Sequence, residues 1–182
     1  FYTMKGYIEA VFETVKVSDV SYKSCTTEYT FHPGRCAEIF IGDRRIGVFG
    51  EIHPEVAKTY GISAPTYIAE LDMDAIFDAR EKTISYTPIP KHPAIERDLS
   101  FVCDEDTEAA SVFETIKASD KLVSEVELFD VYRGSQLGAG KKGMSYAVML
   151  RTADRTLTDA EADAAVKKIL DSLEKKFGIK LR

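Results

Sequence analysis

No apolar run in this chain approaches the roughly 20 residues that a membrane-crossing helix needs. No signal-peptide pattern is present either. No membrane role and a cytoplasmic location are therefore expected. Cysteine is scarce. Cys25, Cys36 and Cys103 are odd in number and show no pairing by spacing, which suits a reducing compartment. His32, His53 and His92 each precede a proline, lie far apart and have no C-x-x-C companion. That excludes the usual metal-ligand spacings and predicts turn and strand-end roles. Nothing places a thiolate beside a base, so Cys–His nucleophilic chemistry is not expected. A surplus of positive charge is also missing. The net charge of −6 excludes a generic polyanion binder but leaves room for a small basic site. A starting methionine is absent, as expected of a fragment.

What is present suits two small domains. The 182 residues are 45% hydrophobic, enough for globular cores. Residues 1–16 carry Tyr7, Ile8, Val11, Phe12 and Val15 at helical spacing. Phe1, Tyr2 and Met4 add more apolar surface than one narrow stripe needs, which predicts a docking face. Residues 20–30 are expected to be extended. Residues 36–40 and 46–52 read as a hairpin turning at 42–45. Short helices are expected over 55–60 and 72–80, and a strand over 66–71. Pro88, Pro90 and Pro93 crowd the stretch 85–97, which forbids a helix and predicts an extended linker. The expected division is residues 1–83, a proline-rich linker and the start of the next domain at 84–97, with the break near 84–88, and a second domain over 88–182.

The second half reads β-α-β-β-α-β. Leu99, Phe101 and Cys103 alternate against Asp98, Ser100 and Val102. Ala109, Val112, Phe113 and Ile116 make a helical stripe, with Thr107 the expected N-cap. In the third segment, Val126, Leu128, Asp130 and Tyr132 are expected on one face, opposite Glu127, Phe129, Val131 and Arg133. Met144, Tyr146, Val148 and Leu150 oppose Ser145, Ala147, Met149 and Arg151. Thr158-x-x-Glu161 is a capping box, and Gly178 stands where the last helix should stop. A short strand over 179–181 completes a ferredoxin-like fold, an antiparallel sheet with two helices on one face. The whole chain is therefore read as α+β.

Between residues 133 and 155 stand five basic residues, Arg133, Lys141, Lys142, Arg151 and Arg155, against one acid, Asp154. Beside them, Tyr132 offers a ring to stack on a base and Asp130 an acceptor for base N–H groups. This pattern fits a single-stranded nucleic-acid site. Taken alone, the residues fit the plainer reading better: Asp130 paired with Arg133 or Lys141, and Tyr132 as ordinary sheet surface. Arg97 is expected in a structural ion pair, and Asp98 is left open.

KHPAIERDLSF, ELFDVYRG, GKKG and RTLTDAEADAAVKKILDSLEKKFGIKLR together resemble the C-terminal anticodon-binding domain of the bacterial phenylalanyl-tRNA synthetase β subunit. FYTMKGYIEAVFE, FHPGRCAEIFIGDRRIGVFGEIHPEV and AELDMD resemble the end of that subunit's catalytic-like domain. The resemblance implies a partial class II synthetase-like module with antiparallel strands before the ferredoxin-like domain. It also implies tRNAPhe and an α subunit as partners in an (αβ)2 assembly. ATP and magnesium would be used by the parent enzyme, on the α subunit. No cofactor and no catalytic residue are expected in this stretch, where neither an R-x-E nor a G-x-G-x-x-R motif is seen. With the resemblance, Asp130, Tyr132, Arg133, Lys141, Lys142, Ser145, Arg151 and Arg155 become the expected RNA-binding set. Gly143 stands where the family has a serine after two lysines, so a hydroxyl contact there would fall to Ser145. The competing reading is an interaction scaffold whose ferredoxin-like domain makes no RNA contact.

Overall fold

A computed structural model describes residues 1–81, 86 and 88–181. The chain forms two compact units, Phe1–Tyr86 and Thr87–Arg182. The expected break near 84–88 falls mostly on residues outside that description.

The first unit runs α1 (Tyr2–Thr14), β1 (Val20–Ser24), β2 (Phe31–Ile41), β3 (Arg44–Ile52), α2 (Pro54–Thr59), β4 (Tyr67–Leu71) and α3 (Met73–Ala79). Its four strands form an antiparallel sheet in chain order. The β2–β3 hairpin closes through Gly42-Asp43, where Gly42 has a φ of +55° that suits glycine. Asp72 caps α3 by accepting from Ala75 N at 2.9 Å. His53 caps α2 through Nδ1, which accepts from Glu55 N at 3.2 Å, a turn role of the expected kind.

The expected docking face on the first helix divides in two. Ile8 and Phe12 are buried against Ile39, Phe49 and Ile76, and Phe1 and Met4 pack on the same core. Of that helix's large apolar side chains, Tyr2, Tyr7 and Val11 remain outward. The stripe serves the unit's own core first, because burying each such side chain stabilises by about 1.5–3 kcal/mol.

The second unit runs β5 (Ile95–Asp104), α4 (Ala109–Ser119), β6 (Val123–Tyr132), a 3-10 turn at Ser135–Leu137, β7 (Lys141–Leu150), α5 (Asp159–Phe177) and β8 (Lys180–Leu181). The antiparallel sheet has the order β6-β7-β5-β8. This is the ferredoxin-like βαββαβ arrangement expected from the pattern. Leu99, Phe101, Cys103, Met144, Tyr146, Val148 and Leu150 face a core completed by Val112, Ile116, Ile169 and Leu173 of the helices. Arg97 pairs with Asp159 and Asp163 of α5, the structural role expected of it. The N-cap of α4 is Glu108 rather than Thr107, and its side chain makes no capping bond.

The capping box at the start of α5 is complete. Thr158 accepts from the Glu161 backbone, and the Glu161 carboxylate accepts from Thr158 N at 3.0 Å. Gly178 ends the helix with a φ of +65°. Arg155 grips the Glu161 carboxylate with both terminal nitrogens. That grip, with the Thr158 bonds, holds the Glu161 pKa down to about 2 from its ordinary 4.5. A depressed carboxylate stabilises the fold above its unfolded pKa and loses that contribution as pH falls through the folded value. Thermal unfolding of the chain and of Glu161→Gln should therefore differ by a constant gap above about pH 5. The gap should close as pH falls from 4.5 toward about 2. A gap independent of pH would refute the ionic role.

Candidate nucleic-acid interface

With both helices on one side, the sheet of the second unit keeps an open face. Residues directly opposite in an antiparallel pair share a face, so the register assigns each side chain. On β7, Met144, Tyr146, Val148 and Leu150 are buried toward the helices, while Gly143, Ser145, Ala147 and Met149 face outward. Val126 and Leu128 oppose Val148 and Tyr146, so they point to the helices. Asp130 and Tyr132 oppose Ser145 and Gly143, so they point outward. The two pairs do not share a face, contrary to the alternation expected from the sequence. The cause is a β-bulge. The register shifts between Leu128 and Asp130, leaving Phe129 as an extra residue that inverts the parity of the strand. Asp130 and Tyr132 keep a common face with each other.

Ser100 on β5 extends the outward row. It opposes Ser145, and the two hydroxyl oxygens lie 2.9 Å apart. The row Asp130–Ser145–Ser100 thus crosses three strands, beside a second row Tyr132–Gly143–Val102. Sequence reasoning missed Ser100 as part of this surface. Its parity was readable, but its neighbour was not known until β5 was seen to lie next to β7. Farther along the same face stand Glu96, Asp98, Glu125 and Glu127, whose register partners are Met149 and Ala147. Acid therefore occupies one end of the open face, and the aromatic and hydroxyl groups the other.

Tyr132 is 40% exposed, and its hydroxyl accepts from Gln136 Nε2. Around it the basic residues are less free than their sequence window suggests. Arg133 pairs with Glu105 at 2.8 Å and Lys141 with Asp104 at 2.6 Å. Asp104 also holds up the Lys141 pKa, chiefly by the hydrogen bond between them. Arg155 is engaged by Glu161, at the start of α5. Arg151 is partly buried and follows the end of β7. Lys142 is buried on the helix side of the sheet, and its ammonium donates to the Glu105 carbonyl at 2.8 Å. The two lysines are not on a mobile loop, since they open β7 as its first two residues. The local basic surplus is offset in space by Asp104, Glu105 and Glu161, acids that lie outside the window between residues 133 and 155.

Residues 90–182 match the family model described as the ferredoxin-fold anticodon binding domain. Residues 1–73 match that of the phenylalanyl tRNA synthetase beta chain CLM domain. The chain belongs to the phenylalanyl-tRNA synthetase β-subunit family. Across its full length it is 36% identical to the phenylalanine–tRNA ligase β subunit of Clostridium tetani, 39% to that of Moorella thermoacetica and 40% to that of Lactococcus lactis. In each case it spans 23% of the relative's length. For this β-subunit family member, the matched anticodon-binding region contains the whole open face just described. Among its described residues no helix is long and apolar enough to cross a membrane, and no group of three metal-binding side chains is found.

Proposed function

We propose that the second unit binds the anticodon loop of tRNAPhe on its open sheet face, as the C-terminal region of a phenylalanine–tRNA ligase β subunit. The observation that carries the reading is the outward placement of Asp130, Tyr132 and Ser145 together, within a fold matched to an anticodon-binding family. An unstacked base would lie on the Tyr132 ring. Its edge would meet the Asp130 carboxylate, which suits N–H donors, or the Ser145 and Ser100 hydroxyls. Arg133 and Lys141 would reach phosphates by exchanging Asp104 and Glu105 for the backbone. Residues 1–83 are read as the end of a class II catalytic-like module that packs against the catalytic α subunit, in a cytoplasmic (αβ)2 assembly. The parent enzyme would use ATP and magnesium on that α subunit, with no catalytic residue supplied here. Residues 84–97 would hold the link from this module and the start of the anticodon-binding domain of residues 88–182, whose β5 opens at Ile95. Titration of the chain with tRNAPhe and with an anticodon-swapped tRNA tests the proposal. Equal affinity for both would defeat it.

One observation favours a second reading, a scaffold without RNA contact: most of the basic residues are already engaged by acids or by the backbone. The lysines separate the two. Lys141→Ala is expected to reduce the slope of log affinity against log salt by about one unit or slightly less. Lys142→Ala should leave that slope alone and lower the melting temperature, because it empties a buried position and orphans the Glu105 carbonyl. A salt series with both variants, beside their melting curves, checks this. If Lys142→Ala changes the slope as Lys141→Ala does, the placement of Lys142 is wrong.

A further inference from the structure

Gly134 follows β6 with an extended backbone, φ −156°, that any residue can adopt. Its lack of a side chain is therefore not demanded by the local chain conformation. It makes room for the Tyr132 ring. A Cβ on Gly134 would stand 2.6 Å from Tyr132 Cζ and 2.8 Å from Cε1, far inside van der Waals contact. The ring lies down over the Gly134 backbone. The 3-10 turn then returns Gln136 to the same ring, where its amide donates to the phenol hydroxyl. Leu137 stands beside Gly143, the residue opposite Tyr132. The missing Cβ leaves room for the ring and the amide donor holds its hydroxyl, on a residue that remains 40% exposed.

We infer that Gly134 and Gln136 are positioning residues for the Tyr132 ring, holding it laid down as a preformed platform for a splayed base. The inference rests on the anticodon-loop reading above and names what sets the geometry of its stacking surface. A freely rotating tyrosine would lose rotamer freedom when a base lands on it. Here the ring is ordered in advance. With a Cβ at Gly134 the phenol has to swing off this position and leave Gln136. Without the Gln136 amide, the hydroxyl loses its anchor while the ring keeps its floor.

The test uses the full chain and an RNA stem-loop carrying the tRNAPhe anticodon loop. Gly134→Ala should abolish nuclear Overhauser contacts between the Tyr132 ring protons and the α-carbon proton of residue 134. It should also raise Kd about tenfold, within the range of about 5- to 150-fold expected for Tyr132→Ala. In a Tyr132→Ala background, Gly134→Ala should change Kd by less than about twofold, because the group it positions is gone. Gln136→Ala, in an exposed turn, should give a smaller loss that also vanishes in that background. Persistence of the ring contacts in Gly134→Ala would overturn the inference. So would an equal loss of binding with and without Tyr132, the mark of a loop that is merely structural. If Tyr132→Ala binds the stem-loop as tightly as the unsubstituted chain, the stacking reading itself falls and takes this inference with it. The earlier two results overturn the inference alone.

Discussion

Replacing Tyr132 with alanine is expected to weaken tRNAPhe binding by roughly 1–3 kcal/mol, the usual worth of one base stacked on an aromatic ring. The loss should be similar at low and high salt, because no charge is removed. Asp130→Asn should behave differently. It keeps the shape of the side chain and replaces a pure acceptor with an amide that both donates and accepts. Discrimination between tRNAPhe and an anticodon-swapped tRNA should fall, while total affinity changes little. Loss of a negative charge beside a polyanion offsets part of the lost hydrogen bond. The measurement is a binding titration of each variant with both tRNAs across a salt series. If Tyr132→Ala proves salt-dependent, or Asp130→Asn weakens both tRNAs alike, the face is a general electrostatic patch.

A larger effect, on stability, is expected at the other side of the same sheet. Tyr146 is fully buried in β7, one residue beyond Ser145. Its ring stacks on Phe101 with centroids 5.9 Å apart, and its hydroxyl donates to the Ala109 carbonyl at 2.9 Å. Burial pushes its phenol pKa upward, so it stays a neutral donor. Tyr146→Ala should cost about 3–5 kcal/mol, by analogy with large aromatic truncations in packed cores. Against a typical total of about 5–15 kcal/mol for a domain, that endangers the fold of the second unit. Tyr146→Phe removes only the hydroxyl and its bond to the Ala109 carbonyl, which opens α4 and keeps its place in the helical ladder, at about 0.5–1.5 kcal/mol. Denaturant unfolding of both variants checks the order. A Tyr146→Ala chain as stable as Tyr146→Phe would show that the ring is not the centre of this core.

Much of this arrangement was readable along the chain. Thr158, Glu161 and Gly178 announced both ends of α5, because caps are local chemistry between residues three or four apart. The shared face of Asp130 and Tyr132 followed from their separation of two. The inversion between Leu128 and Asp130 did not. Val126 and Leu128 are apolar on one parity, and Phe129 and Val131 on the other, so hydrophobicity gave no sign of where the extra residue sits. Burial of Lys142 was hidden for a similar reason. A lysine pair after a run of glycines reads as a loop, whereas pairing with β5 begins at Lys141. The ion pairs were hidden by distance, since Asp104 lies 37 residues from Lys141. Tertiary neighbours of that kind are not encoded in any window of local sequence.

The bulge at Phe129 makes β6 behave like a sentence with a frameshift in the middle. From Glu125 to Leu128, even-numbered positions feed the core; after Phe129, they face the solvent. Removing that one residue would restore alternation from Glu125 onward, turning Asp130 and Tyr132 toward the helices or expelling Val126 and Leu128 from them. Lengthening the turn after Gly134 would change neither parity. For the evolution or redesign of this surface, the sensitive insertions and deletions therefore lie inside the strand, while the loop, where length usually varies, can drift without reversing the side chains that face outward.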